Sequence, residues 1–221
     1  MHDLGIGALL QDVGKLRIPT ELLEKSTELN ESERFTISRH VDLSLNLLAS
    51  SPEFPKNAVD IVKHHHERFD GTGYPDGLQG DAISPFAVIA GMADTYEAMT
   101  NRRPYRPALN SYEALGELYQ MRDKLFPKAM IENLIQCVGA FPVGSFVELN
   151  THHVGVVIGR NQIKQLKPKV MVLLDPSGRR LPTSPTVDLA VQKPGDPSIP
   201  SEILRVVDPS EFGMDPREFF V

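Results

Sequence analysis

The sequence predicts a mainly α fold, a helical core followed by a small antiparallel β domain, and three observations carry that prediction. From the start to about Gly139, apolar residues recur at helical spacing. From Phe141 onward, Val, Gly and Pro dominate in short runs suited to strands. Between the two, Gly139 can end a helix and Pro142 discourages its continuation. The expected organisation is therefore a helical domain over 1–140 and a β-rich extension over 141–221.

Leu4, Ile6, Leu9, Leu10 and Val13 suit a buried helix reaching about Gly14. Asn30-Glu31-Ser32-Glu33 has the form of a capping box, in which Asn30 takes the free amide of Glu33 and Glu33 reaches back. The helix that follows places Ile37, Val41, Leu45 and Leu48 on one face. Ala58, Ile61, Val62 and His65 form the next apolar stripe. Ser84-Pro85 starts another helix, with serine at the N-cap and proline in the first turn. Its expected inward face is Val88, Ile89, Met92, Ala93 and Tyr96. Later helices are expected over Ser111–Met121 and Pro127–Cys137. In the tail, strands are expected at Ser145–Leu149, Val154–Ile158, Val170–Leu174 and Val187–Val191, with a turn at Asp175-Pro176-Ser177-Gly178. A strongly bent barrel or sheet would result.

Composition narrows the function. The chain has 221 residues, 23 Lys plus Arg against 29 Asp plus Glu, and a formal charge of -6. That balance argues against a broad surface for a nucleic-acid polymer. The single cysteine, Cys137, leaves no intrachain disulfide and fits a reducing, cytoplasmic setting. No apolar run approaches the length of a membrane span, and Met1-His2-Asp3-Leu4-Gly5 does not have the form of a signal peptide. The chain enters an apolar helical pattern almost at once. This predicts that upstream helices are absent from it, and that the exposed first helix invites a signalling partner or a second copy.

Asp12, His40, His64, His65, His66 and Asp94 lie on three or four predicted helices. Imidazoles and carboxylates in helix interiors are costly to bury without partners, and a shared cation would supply them. His65 and His66, roughly 100° apart on a helix, can flank a cluster and serve one ion each. His64 lies further round and is expected to face solvent or to support the site. Asp12 could bridge two ions, and Asp94 could close the site. This nitrogen and oxygen set without thiolates admits several divalent ions and suits iron or manganese. Lys15, three residues after Asp12, would either pair with it or meet a substrate phosphate. The glycine-rich segment from Phe69 to Gly77, with Gly73, Tyr74 and Pro75, reads as a surface turn or a ligand-facing loop. Arg102, Arg103 and Arg106 form a cationic patch, either solvated or in contact with phosphate.

In order, His65-His66-Glu67, Asp70-Gly71-Thr72-Gly73-Tyr74-Pro75 and Arg102-Arg103-Pro104-Tyr105-Arg106 resemble the HD-GYP family of HD-domain metal-dependent phosphohydrolases. Asp12-Val13-Gly14-Lys15 resembles the end of its HD segment, His40 falls at its next histidine, and Met92 to Thr100 resembles its last ligand helix. The resemblance covers about residues 5 to 140, and the tail resembles a β extension found in one subgroup. It implies a bacterial signalling hydrolase with an all-helical core and a two- or three-metal site, with Asp12, His40, His65, His66 and Asp94 at the ligand positions; for this chain one or two ions, iron or manganese, are expected. It further implies cyclic di-GMP as substrate, cleaved to linear pGpG or GMP, with Lys15 on a phosphate. Gly73, Tyr74, Pro75, Arg102, Arg103 and Arg106 would then lie beside the dinucleotide. Gln11 stands where the family has the HD histidine, and the upstream ligands have no counterpart. Slow or absent hydrolysis with at least one ion retained is the expectation. The competing readings are a degenerate nucleotide-binding or interaction domain, and an HD-type phosphohydrolase of another phosphoester.

Overall fold

The computed structural model describes residues 1–49, 53–101, 108–161, 163–164, 166–192 and 198–214. Eight α-helices precede five strands among them: α1 His2–Leu10, α2 Thr20–Leu23, α3 Glu31–Ser38, α4 His40–Leu48, α5 Lys56–His64, α6 Pro85–Thr100, α7 Ser111–Gln120 and α8 Lys128–Val138, then β1 Phe146–Leu149, β2 Val154–Gly159, β3 Lys169–Leu174, β4 Thr186–Asp188 and β5 Ile203–Val206. The chain divides into two compact units, Met1–Leu109 with Gly116–Glu132, and Asn110–Leu115 with Asn133–Val221. No described helix is long and apolar enough to cross a membrane.

In the first unit, α5 is the central element. Ala58, Ile61 and Val62 are fully buried, and the stripe ends on His65, equally buried, at the helix C-cap. Helix α1 lies against it with Gly7 at the contact, where a Cβ would meet two Ile61 atoms at 2.8 Å. The sequence-derived helix to Gly14 stops at Leu10, and a tight 3-10 turn over Val13–Arg17 replaces its end. The cause is close approach to α4. The Gly14 N–H donates to Ser44 Oγ at 2.8 Å, and Ser44 Oγ donates to the Gln11 carbonyl at 3.0 Å. Nor is the whole expected apolar set buried, since Leu9 is 81% exposed.

The single helix expected after Asn30 is two helices, α3 and α4, separated at Arg39. Val41 is buried, whereas Ile37, Leu45 and Leu48 are half-buried. On α6 the inward face is rotated from expectation. Ile89 and Ala93 are exposed, and Ala87, Ala90, Gly91 and Met99 join Val88 and Met92 inside. Small residues win there because the α5 terminus is close: a Cβ on Gly91 would collide with the His65 carbonyl oxygen.

The capping box forms as expected. Asn30 Oδ1 accepts from Glu33 N and Glu33 Oε2 accepts from Asn30 N, each at 2.9 Å. Lys25 Nζ adds an ion pair to Glu33 at 2.6 Å. Asn30→Ala is therefore expected to cost about 1 kcal/mol, read as a lower urea midpoint with unchanged slope.

The second unit carries an antiparallel sheet in the order β4-β3-β2-β1-β5. Alternation along the strands fills both faces. Val147, Leu149, Val157, Val170, Val172 and Leu189 pack with Phe141 on one, and Phe146, Val154, Val156, Leu173, Leu174 and Val207 on the other. The fourth expected strand is shorter than Val187–Val191, and β5 was not foreseen. Asn150 brings it into place: its Oδ1 accepts from Ser201 N and Glu202 N, and its Nδ2 donates to the Ile199 carbonyl. The Asp175 turn forms, with Asp175 Oδ1 accepting from the Ser177 and Arg179 amides and Gly178 at φ +80°.

Candidate metal centre

Three stretches of the first unit deliver the site. The turn after α1 presents Asp12, the first residue of α4 is His40, and the end of α5 presents His65 and His66. One ligand atom from each of these four residues lies within 4.8 Å of every other. His40 and His65 are buried, with relative exposures of 1% and 0%.

The tautomers follow from the backbone. His40 Nδ1 is 2.8 Å from the Ile37 carbonyl and His65 Nδ1 is 3.0 Å from the Val62 carbonyl, so both Nδ1 atoms carry the proton and donate. Burial lowers the pKa of all three imidazoles, that of His65 to about 4, and keeps them neutral. The two Nε2 atoms therefore present lone pairs, and they face each other at 3.5 Å. Asp12 Oδ1 lies 3.2 Å from His40 Nε2 and 3.9 Å from His65 Nε2, yet it is buried without a hydrogen-bond partner. Three electron-pair donors converge with no proton to share. A divalent cation resolves that conflict, and the Nδ1–H···O=C bonds already fix the rings for it. The donor set fits such an ion.

Asp12 Oδ2 is engaged elsewhere, 2.8 Å from Lys15 Nζ. The structure thus shows Lys15 as the ion-pair partner of Asp12, beside the centre. Asp94, on α6, is not one of the four clustered residues, although its charge opposes in small part the burial that lowers the His40 pKa and bears on Arg68 and Tyr74. Arg102, Arg103 and Arg106 lie outside the described residues.

The glycine-rich segment folds back onto the centre. Tyr74 stacks on His66 with ring centroids 4.7 Å apart and planes 24° apart, and burial raises the pKa of its phenol. Pro75, joined to it by a cis peptide, is exposed. Gly73 is required by space: a Cβ there would strike Arg68 N and the Glu67 Cα, and would lie 2.5 Å from the His66 carbonyl oxygen. His64 is a support. Its Nδ1 pairs with Asp60 at 2.7 Å and its Nε2 with Asp76 at 3.1 Å, while Lys63 Nζ reaches Asp76 at 2.5 Å. Lys63 and then His64 hold the Asp76 carboxyl below its ordinary pKa.

Two residues of the site were assigned no role from the sequence, although Glu67 stands in the His65-His66-Glu67 motif. Glu67 is buried, and its carboxylate accepts from the amides of Asp76, Gly77 and Leu78 at 2.7, 3.1 and 3.0 Å. A glutamate two residues before a glycine-rich segment, whose turns leave N–H groups to be satisfied, was the available signal. Ser44, fully buried, ties the Asp12 turn to α4, and a serine one turn after His40 on that helix was its signal.

The HD domain family matches residues 1–129, and the KOW domain associated with HD domain matches residues 146–194. The chain is 33% identical over 172 residues to the cyclic di-GMP phosphodiesterase PA4108 of Pseudomonas aeruginosa, covering 78% of this chain and 41% of that protein. It is 39% identical over 132 residues to the cyclic di-GMP phosphodiesterase response regulator RpfG of Xanthomonas campestris, covering 59% and 35%. It is 42% identical over 114 residues to the 3'3'-cGAMP-specific phosphodiesterase 1 of Vibrio cholerae, covering 51% and 26%. The chain spans less than half the length of each of these relatives. With its Asp12, His40, His65 and His66 cluster and Gln11 at the HD histidine, this chain belongs to the HD-domain family, as an HD-GYP-like phosphohydrolase fold followed by a KOW-like domain.

Proposed function

We propose that the helical domain, drawn at 1–140, is a metal-dependent phosphodiesterase that opens a cyclic dinucleotide, with cyclic di-GMP as its substrate. The observation that carries this reading is the convergence of Asp12 Oδ1 with the two imidazole Nε2 atoms, three donors lacking any proton between them. The cyclic di-GMP phosphodiesterase activities of the Pseudomonas and Xanthomonas relatives support the substrate, and the specificity of the Vibrio relative supplies the alternative, 3'3'-cGAMP.

Asp12, His40, His65 and His66 would hold the ion, with Asp94 closing the site from α6. When bound, a divalent ion supplies charge that acidifies water and offsets the negative charge developing on a phosphoryl oxygen. Lys15, held beside the centre by Asp12, offers a cation to the phosphate. Tyr74, backed by His66, and Pro75 give the dinucleotide an apolar wall reached by the close-packed Gly73. Arg102, Arg103 and Arg106 would orient it. Turnover is expected to be slow, because Gln11 provides an amide oxygen where the family has an imidazole. A homodimer or a signalling partner on the α1 face, where Leu9 is exposed, and a cytoplasmic location complete the proposal.

The test uses chelator-stripped protein reconstituted anaerobically with iron or manganese, with cyclic di-GMP and 3'3'-cGAMP supplied separately and products resolved by chromatography. Asp12→Ala is expected to lower turnover at least about 100-fold. Hydrolysis that survives Asp12→Ala would remove this centre from the reaction. Gln11 also favours a second reading, a domain that binds dinucleotide without cleaving it. Calorimetric binding of cyclic di-GMP with no product from the reconstituted wild type would establish that reading.

A further inference from the structure

Two buried side-chain oxygens stand without a hydrogen-bond partner among the described residues, and they belong to consecutive residues: Gln11 Oε1 and Asp12 Oδ1. The second is a ligand atom of the centre. The first is an uncharged carbonyl oxygen that has left water and gained nothing from the protein in return, which native structures avoid unless an unseen group completes the site. The Gln11 backbone is pinned at the same place, its carbonyl accepting from Ser44 Oγ at 3.0 Å. The amide thus starts from a fixed point on the turn that carries Asp12.

We infer that Gln11 is itself a ligand of the Asp12 centre through Oε1, and that this oxygen shifts the centre toward hard divalent cations such as Mn2+. The inference rests on reading that centre as a metal site. Amide carbonyl oxygens are ordinary ligands for hard cations. Imidazole nitrogens instead favour zinc and the later transition metals. An oxygen in place of a nitrogen therefore narrows the advantage that Zn2+ holds over Mn2+ at a site of three imidazoles and one carboxylate.

The experiment measures dissociation constants for Mn2+ and Zn2+ on the stripped full chain, by Mn2+ electron paramagnetic resonance and competition with a zinc indicator. It compares wild type with Gln11→Leu, Gln11→Glu, Gln11→His and Asp12→Ala. Gln11→Leu is expected to weaken Mn2+ at least about tenfold and Zn2+ less. Gln11→Glu is expected to tighten Mn2+, and Gln11→His to widen the preference for Zn2+ at least about tenfold. A purely structural glutamine would leave the ratio of the two constants unmoved in Gln11→Leu, and that result would overturn the inference. Should Gln11→Leu fail to fold, the ratio in Gln11→Ala decides, because alanine also offers no ligand atom. Loss of both metals in Asp12→Ala shows that the centre exists whatever Gln11 does. Retention of both there defeats the metal-site reading itself.

Discussion

Glu67→Ala is expected to release the segment from Asp76 to Leu78 and to destabilise the first unit by about 3 kcal/mol, with loss of the centre's geometry. The carboxylate accepts three backbone N–H groups from a buried position. Bonds to a charged acceptor contribute about 1.5–3 kcal/mol each, although the freed amides recover part of that in water. The same segment carries Tyr74 against His66, so the wall of the site loosens with it. Native-state hydrogen exchange of the Asp76, Gly77 and Leu78 amides checks this directly. Glu67→Gln keeps the volume and one carbonyl oxygen, and should fall between alanine and wild type. Wild-type protection of these amides in the alanine variant would mean that the carboxylate does not hold the loop.

Gly14→Ala is expected to be at least as damaging, at about 3 kcal/mol or more. A Cβ there would collide with the His40 carbonyl oxygen and would sit 2.5 Å from Ser44 N and 2.8 Å from Ser44 Oγ. Two of those three atoms are backbone, so no rotamer change relieves the clash. Either the turn carrying Asp12 moves away from α4 or α4 moves, and each separates Asp12 from His40. Thermal unfolding and metal uptake should fall together. A variant that melts like wild type but has lost its metal would show that the turn shifts alone.

Much of this architecture was legible because local chemistry decided it. The Asn30 capping box, the Ser84-Pro85 helix start and the α5 stripe ending at His65 depend on neighbours in sequence, and all three appear in the structure. The cluster of Asp12, His40, His65 and His66 could be anticipated because the four residues recur in the order of the family's motifs, although each alone says little. What escaped was decided by contacts between distant segments. The α1 helix ends early because Gly14 and Ser44 meet. The α6 face turns because Gly91 must admit the His65 carbonyl. Strand β5 exists because Asn150 captures residues 199–202 and brings Val206 opposite Val147. Glu67 was hidden by its own composition, since an acidic side chain next to a polar loop ordinarily faces water.

The sheet of the second unit ends in β4, three residues long, and β5, four residues long. Arg205 stands on β5, where it pairs with Glu148 at 2.7 Å and Glu211 at 3.3 Å, and Pro185 immediately precedes β4. A sheet edge is a row of open N–H and C=O groups on which another chain can add a strand. Here each row is brief, one carries a charge and the other begins beside a proline. An unfolded neighbour therefore finds little template to extend, and the sheet is guarded against edge-to-edge aggregation even with its strands rich in valine and leucine.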